Sequence, residues 1–194
     1  MLRYPIFGRQ PDYGALVGSD IASTSATLNG PREATITDPG VGLYRTVKGS
    51  VARSGCWYCE FDHISGADGT GYTNFGVVMD GTAPGSTLYG SQSYGWGGGD
   101  DAPYFNFTGA ARLMMAVNTI ERKVWIGTNG AWITNNPNTT VTPFVTMAAT
   151  VCGPLAPAIS TFGGGSISNR AAICFTRDQM RYEPPLNFIP IGEL

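Results

Sequence analysis

Glu60 and Asp62 stand two residues apart in the run Cys56-Trp-Tyr-Cys-Glu-Phe-Asp-His63, which alternates as a β-strand does. Strand side chains at i and i+2 share a face, so the two carboxylates point the same way. A pair of carboxylates flanking a glycosidic bond is the core requirement for glycoside hydrolysis. His63 is the chain's one histidine, so a serine–histidine or cysteine–histidine pair has no other base to use. It shares its strand face with Trp57, Cys59 and Phe61, which marks it as a core or strand-end residue. Cys56 and Cys59 have a metal-binding spacing, but Cys152 and Cys174 form no second close pair. On a strand, positions 56 and 59 face opposite ways, so free and mostly buried thiols are expected. Asp100-Asp101 could offer calcium two carboxylates among loop carbonyls, though a solvated loop is the expectation. Neither Gly97-Gly-Gly99 nor Gly163-Gly-Gly165 leads into Lys-Ser/Thr, so neither reads as a phosphate cradle. No G-x-S-x-G elbow occurs. The expectation is a non-enzymatic protein with no catalytic residue, cofactor or metal.

The elements around these residues are short. The chain has 194 residues, which suits one domain. Gly 27 and Pro 13 are spread along its length, against an all-helical protein, because Gly costs a helix interior about 1 kcal/mol and Pro about 3. Charged residues are 13%, and the net charge of −2 offers no broad basic face for nucleic acid or membrane. No stretch approaches the run of about 20 apolar residues that a membrane helix needs. The start carries no apolar core of signal-peptide length, so synthesis and retention in a reducing cytosol are expected, and the sequons at Asn106 and Asn138 then carry little meaning. Alternation and turn residues predict strands over 33–37, 42–48, 56–64, 73–79, 86–89, 112–119, 123–127, 131–133, 155–162 and 166–175. The 56–64 strand should turn one face to the core and one to solvent. Residues 112–127 read as a hairpin turning over 120–122. Asn129-Gly130 reads as a two-residue hairpin turn, because both residue types accept positive φ. A helical turn is expected over 176–181, before Pro184-Pro185.

Residues 1–20 form a separate segment. Tyr4, Phe7 and Tyr13 lie there between prolines and glycines with no strand or helix period. An extended arm laid on a neighbouring subunit and an arm folded back on its own domain satisfy this pattern equally. Aromatics on rigid loops make contact anchors, and Tyr104, Phe105 and Trp132 are the further candidates for an exposed binding surface.

Several pieces, in order, resemble one family. Gly55-Cys-Trp-Tyr-Cys-Glu60 resembles the G-[KR]-W-Y-[WFY]-E strand of SPRY domains, and Phe75-Gly-Val-Val78 is similar to the strand that follows it. Ser93-Tyr-Gly-Trp96, the 113–130 hairpin ending in Thr128-Asn-Gly130, Leu155-Ala-Pro-Ala-Ile-Ser160 and Tyr182-Glu-Pro-Pro-Leu-Asn-Phe188 resemble its later segments. The resemblance spans roughly residues 24–191. The turn around Asn118–Arg122 lacks the family's Asp and Gly, and Cys59 stands where the family has an aromatic.

The resemblance implies an all-β, antiparallel two-sheet sandwich of the SPRY/concanavalin-like jelly-roll kind over 21–194, with the arm at 1–20. It implies partner binding by loops at one end of the sandwich. Glycosidases of the same architecture carry an E-x-D-x-x-E strand; here Ser65 takes the third position, so Glu60 and Asp62 are expected to be solvent-side acids. The lysine-poor, Ser/Thr/Asn/Gly-rich texture is similar to SPRY-like proteins of tailed bacteriophage virions. That similarity implies a capsid decoration or cement subunit at the virion surface, assembled in the host cytoplasm. Its partners would be the major capsid or other virion proteins and its own copies, with a trimer favoured, and neither nucleic acid nor membrane. A tail-fibre or baseplate receptor-contact protein and a peptide-binding SPRY adaptor are the alternatives.

Overall fold

A computed structural model describes residues 16–17, 26–39, 45–66, 71–79, 89–95, 105–107, 111–133, 135–163 and 166–194. In chain order the strands are β1 (Leu16–Val17), β2 (Ala26–Leu28), β3 (Glu33–Pro39), β4 (Arg45–Gly49) and β5 (Cys56–Ser65). They continue with β6 (Gly71–Met79), β7 (Tyr89–Gly95), β8 (Phe105–Phe107), β9 (Ala111–Asn118) and β10 (Lys123–Thr128). The last are β11 (Ala131–Trp132), β12 (Val145–Thr146), β13 (Leu155–Gly163), β14 (Ser166–Cys174) and β15 (Ile189–Pro190). Among the described residues there is no α-helix, only two 3-10 turns at Arg177–Gln179 and Ile191–Glu193.

The strands form two sheets. One runs β1-β4-β13-β6-β7-β8, and the other runs β11-β10-β9-β5-β14-β3-β2, with β12 on β10 and β15 on β5. Pairing is antiparallel except for β7 with β8 and β15 with β5, which are parallel. The expected two-sheet sandwich is therefore the observed fold. Its core lies between the sheets. Val47, Phe75, Val77, Leu155 and Ile159 come from the first sheet. Ile36, Trp57, Phe61, Leu113, Met115, Val117, Ile126 and Ile173 come from the second. The large ones contribute about 1.5–3 kcal/mol each by leaving water. Phe61 and Phe75 meet edge to face across this core at 5.5 Å between centroids.

The β9–β10 hairpin forms as expected, turning over 119–122. Arg122 takes the left-handed conformation there, φ 57°, in the turn that lacks the Asp and Gly of the family resemblance. Asn129 and Gly130 form the next turn with φ 50° and 89°, joining Thr128 to its partner Ala131. Two positive φ values match the twist of the strands they join.

Three expectations need correction. The strand expected over 86–89 is instead Tyr89–Gly95, with 86–88 outside the described residues; its two glycines hid it from a propensity reading. Within the 1–20 segment, where no strand was expected, Leu16–Val17 pairs antiparallel with Gly49 and Lys48 of the same chain. The β5 strand does not turn one face to solvent: Tyr58 and Glu60, on its outer face, are both fully buried. What covers them is the C-terminal segment, residues 176–190. Tyr58, Met114, Ala116 and Trp125 form a second small core there with Trp132, Met180, Tyr182 and Phe188.

Candidate functional site

The covered outer face of β5 holds a cluster of charged residues joined by ion pairs. Ladder register builds it. Glu60 stands opposite Met114 on β9 and Cys174 on β14, and Asp62 stands opposite Arg112 and Ala172. Residues directly opposite in a ladder share a face, so Glu60, Asp62, Arg112 and Cys174 converge.

Arg112 is the hub. Its Nη1 donates to Glu60 Oε2 at 3.1 Å, to Cys174 Sγ at 2.7 Å and to the Gln179 carbonyl at 3.3 Å. Its Nε lies 2.6 Å from Asp62 Oδ1 as an ion pair whose N–H points off the line, so it is not a hydrogen bond. Arg32 Nη1 reaches the same sulfur at 3.4 Å.

Glu60 is saturated by the chain itself. Besides Arg112 it accepts from the Tyr58 hydroxyl at 2.9 Å, from the Arg181 N–H at 2.9 Å and from the Tyr182 N–H at 2.8 Å. A buried carboxylate is tolerable only when paired and hydrogen-bonded, and four donors meet that demand. Two of them belong to the C-terminal segment, so the carboxylate is also its anchor. The segment is prepared for this by the 3-10 turn, where Gln179 Oε1 accepts from Phe175 N at 2.9 Å. It then runs past Trp125, whose ring meets Phe188 edge to face at 5.8 Å. It ends beside the first half of β5, where β15 pairs at Trp57 and Tyr58, the stretch β14 leaves open.

The electrostatics follow burial. Removal from water, the adjacent Glu60 charge and its own hydrogen bond push the Tyr58 phenol above its ordinary value. Burial raises the Cys174 thiol despite Arg112 beside it, and burial holds the Cys59 thiol well above its usual range. These are poor nucleophiles.

The expectation of solvent-side acids is thus overturned for Glu60, and Asp62 is about one-third exposed. Glu60 has no free lone pair directed to a substrate, so the pair does not present two working carboxylates. His63 is a core residue, 3% exposed, with its ring edge to face with Phe75 at 6.1 Å. All four thiols are free; Cys59 and Cys174 are buried, Cys56 is half-buried and Cys152 is exposed. Among the described residues, no three His, Cys, Asp or Glu side chains converge as a metal site.

Of the expected contact residues, Trp132 is half-buried, its ring edge to face with Tyr58 at 6.3 Å. It belongs to the second core more than to a free surface. Phe105 lies in β8, beside Gln92 of β7. Tyr4, Phe7, Tyr13 and Tyr104 lie outside the described residues, as do Asp100-Asp101 and Gly97-Gly-Gly99. Sequence reading did not single out Arg112 or Arg181, and it met Tyr182 only as the start of the closing segment of the resemblance. Arg112 was within reach, because pairing the 56–64 strand with the 112–119 strand sets it opposite Asp62.

No family model matches this chain, and no curated protein matches it. Among solved structures it is similar to the SPRY domain of human HERC1, with 15% identity and a TM-score of 0.56 over 91% of this chain and 100% of that one. A sialidase aligns at 13% identity and a TM-score of 0.46 over 77% of this chain, which spans 15% of that chain's length. The first of these likenesses, with the two-sheet topology, shows the fold: a SPRY-type, concanavalin-like β-sandwich.

Proposed function

We propose that this chain is a non-enzymatic, protein-binding β-sandwich, and that it serves as a structural subunit of a tailed-phage virion. The observation that carries the non-enzymatic reading is the internal saturation of Glu60: the acid best placed for chemistry is committed to holding the C-terminal segment. The likeness in fold to a SPRY domain supports protein binding. The virion setting rests on the sequence texture alone, with its two lysines, Lys48 and Lys123, and its 13% charged residues. Within that setting a decoration or cement role on the capsid comes first, with the chain's own copies and the major capsid protein as partners.

The test is the copy number of this chain in purified particles, by gel densitometry against the major shell protein. Hundreds of copies support decoration. A handful moves the chain to the tail or fibres, and absence defeats the virion reading while leaving a protein-binding module. A second test removes residues 2–15, which spares Leu16–Val17 and their pairing with β4. Loss of attachment with an unchanged fold assigns the contact to Tyr4, Phe7 and Tyr13. Full attachment by the shortened chain refutes that assignment.

A further inference from the structure

Next to the buried carboxylate lies an open cleft of about 150 Å³, lined by Asp62, His63, Ala111, Arg112, Asn129 and Arg181. Three separate parts of the fold build it: the adjoining ends of β5 and β9, the Asn129-Gly130 turn and the C-terminal segment. Its polar functions are mostly donors. Arg181 is exposed and is held only by its backbone N–H on Glu60; its guanidinium has no partner among the described residues. Asn129 uses its carboxamide oxygen to accept from the Arg112 N–H at 3.0 Å. The Asn129 amide hydrogens have no partner among the described residues. Of the two carboxylates on this face, Asp62 in the lining is ion-paired with Arg112, and Glu60 behind it has its four donors.

That ledger selects a ligand. Arg181 is a guanidinium of the cleft with no ion-pair partner among the described residues, and it offers one charge through a planar fork. A carboxylate brings one negative charge in the matching geometry. A phosphate dianion would bring two charges beside Asp62, with one guanidinium to meet them. We propose that this cleft binds a carboxylate presented by a protein partner, with Arg181 gripping it from one wall and the Asn129 carboxamide from the other. The proposal rests on the protein-binding reading above and names the chemistry of the group recognised.

The probe is sodium acetate, titrated into the full chain at constant ionic strength with chloride as the balancing anion. The readout is the NMR shift of the Arg181 Nε–H and the Asn129 side-chain amide. Saturable shifts at both are expected. R181Q should weaken binding about tenfold or more, because a charge-assisted pair is lost. N129D keeps the turn and the oxygen that Arg112 uses, yet sets a second negative charge in the cleft, so it should weaken binding as well. R177Q is the control, since that exposed guanidinium pairs with Glu183 at 2.7 Å, outside the cleft. Two peptides separate the sources: acetyl-Ala-Glu-Ala-amide offers a side-chain carboxylate, and acetyl-Ala-Ala-Ala-OH a terminal one. Saturable binding of either supports the site, and the tighter identifies the source. Shifts that never saturate, equal binding of acetyl-Ala-Gln-Ala-amide, or an unchanged R181Q would overturn it. Failure of the protein-binding reading looks different: acetate saturates the cleft, but wild-type chain retains no protein from disrupted particles. If the chain does retain a particle protein and R181Q retains it equally, the carboxylate proposal falls alone.

Discussion

Glu60→Gln is the sharpest test of how the C-terminal segment is held. The substitution preserves volume and removes the charge. The carboxylate now accepts from Tyr58 Oη, Arg112 Nη1, Arg181 N and Tyr182 N at 2.8–3.1 Å. A carboxamide offers one oxygen and sets an NH2 against the remaining donors. At least two buried donors are left unmet, at about 1–3 kcal/mol each. Losing one partner of a buried ion pair costs about 3–5 kcal/mol, which falls within the same range. The expected loss is therefore about 2–5 kcal/mol, a large share of the 5–15 kcal/mol that holds a typical domain. For a chain of 194 residues that is a drop of about 4–20 °C in Tm. Urea unfolding measures the loss, and hydrogen exchange at the Arg181 and Tyr182 amides locates it. Asp62→Asn is the companion, at a carboxylate about one-third exposed. It should cost less than about 1 kcal/mol, because a partly solvated ion pair is screened. A loss below about 1 kcal/mol in the Glu60 variant would refute the anchoring argument, as would unchanged protection of both amides.

Three further outcomes follow from the same geometry. Gly130→Ala should destabilise the fold by about 1–2 kcal/mol, since φ 89° disfavours a side chain and the added Cβ would meet the Tyr182 ring at 2.8 Å; thermal melts check it, and a neutral result would mean that Tyr182 yields freely. Stability should fall as pH rises above about 8.5, the thiol value of the unfolded chain, and again above about 10, where its tyrosines ionise. The sign is set because Cys59, Cys174 and Tyr58 all have raised values in the fold, so the unfolded chain releases those protons first. Urea midpoints across pH 7–11 measure it, and a flat profile would refute the burial of all three. In native protein a thiol reagent should modify Cys152 at once and Cys56 slowly, while Cys59 and Cys174 react only on unfolding; quantitative labelling of all four without unfolding would contradict the packing.

Much of the sandwich was legible because strand periodicity and turn chemistry are local. The β9–β10 hairpin, the Asn129-Gly130 turn and the 3-10 turn after Thr176 each depend on a few neighbouring residues. Strands of two or three residues, such as Ala26–Leu28, Val145–Thr146 and Ile189–Pro190, were missed, because alternation has no length in which to show. Tyr89–Gly95 was misplaced because its glycines contribute no propensity, and its pairing with β6 sets its path.

The amino-acid sequence by itself determined that Glu60 and Asp62 share a face and that the chain builds a β-sandwich. It carried no statement of what that face meets. Alternation distinguishes one side of a strand from the other, but solvent and a returning segment 121 residues away leave the same mark on the pattern. Only the tertiary structure decided that Arg181 N and Tyr182 N close over Glu60, that Arg112 is drawn between two carboxylates and a thiol, and that Arg181 is left facing an open cleft. The reason is that pairing across the ladder and the docking of the C-terminal segment are contacts between residues remote in sequence, and burial is a property of those contacts rather than of any residue alone.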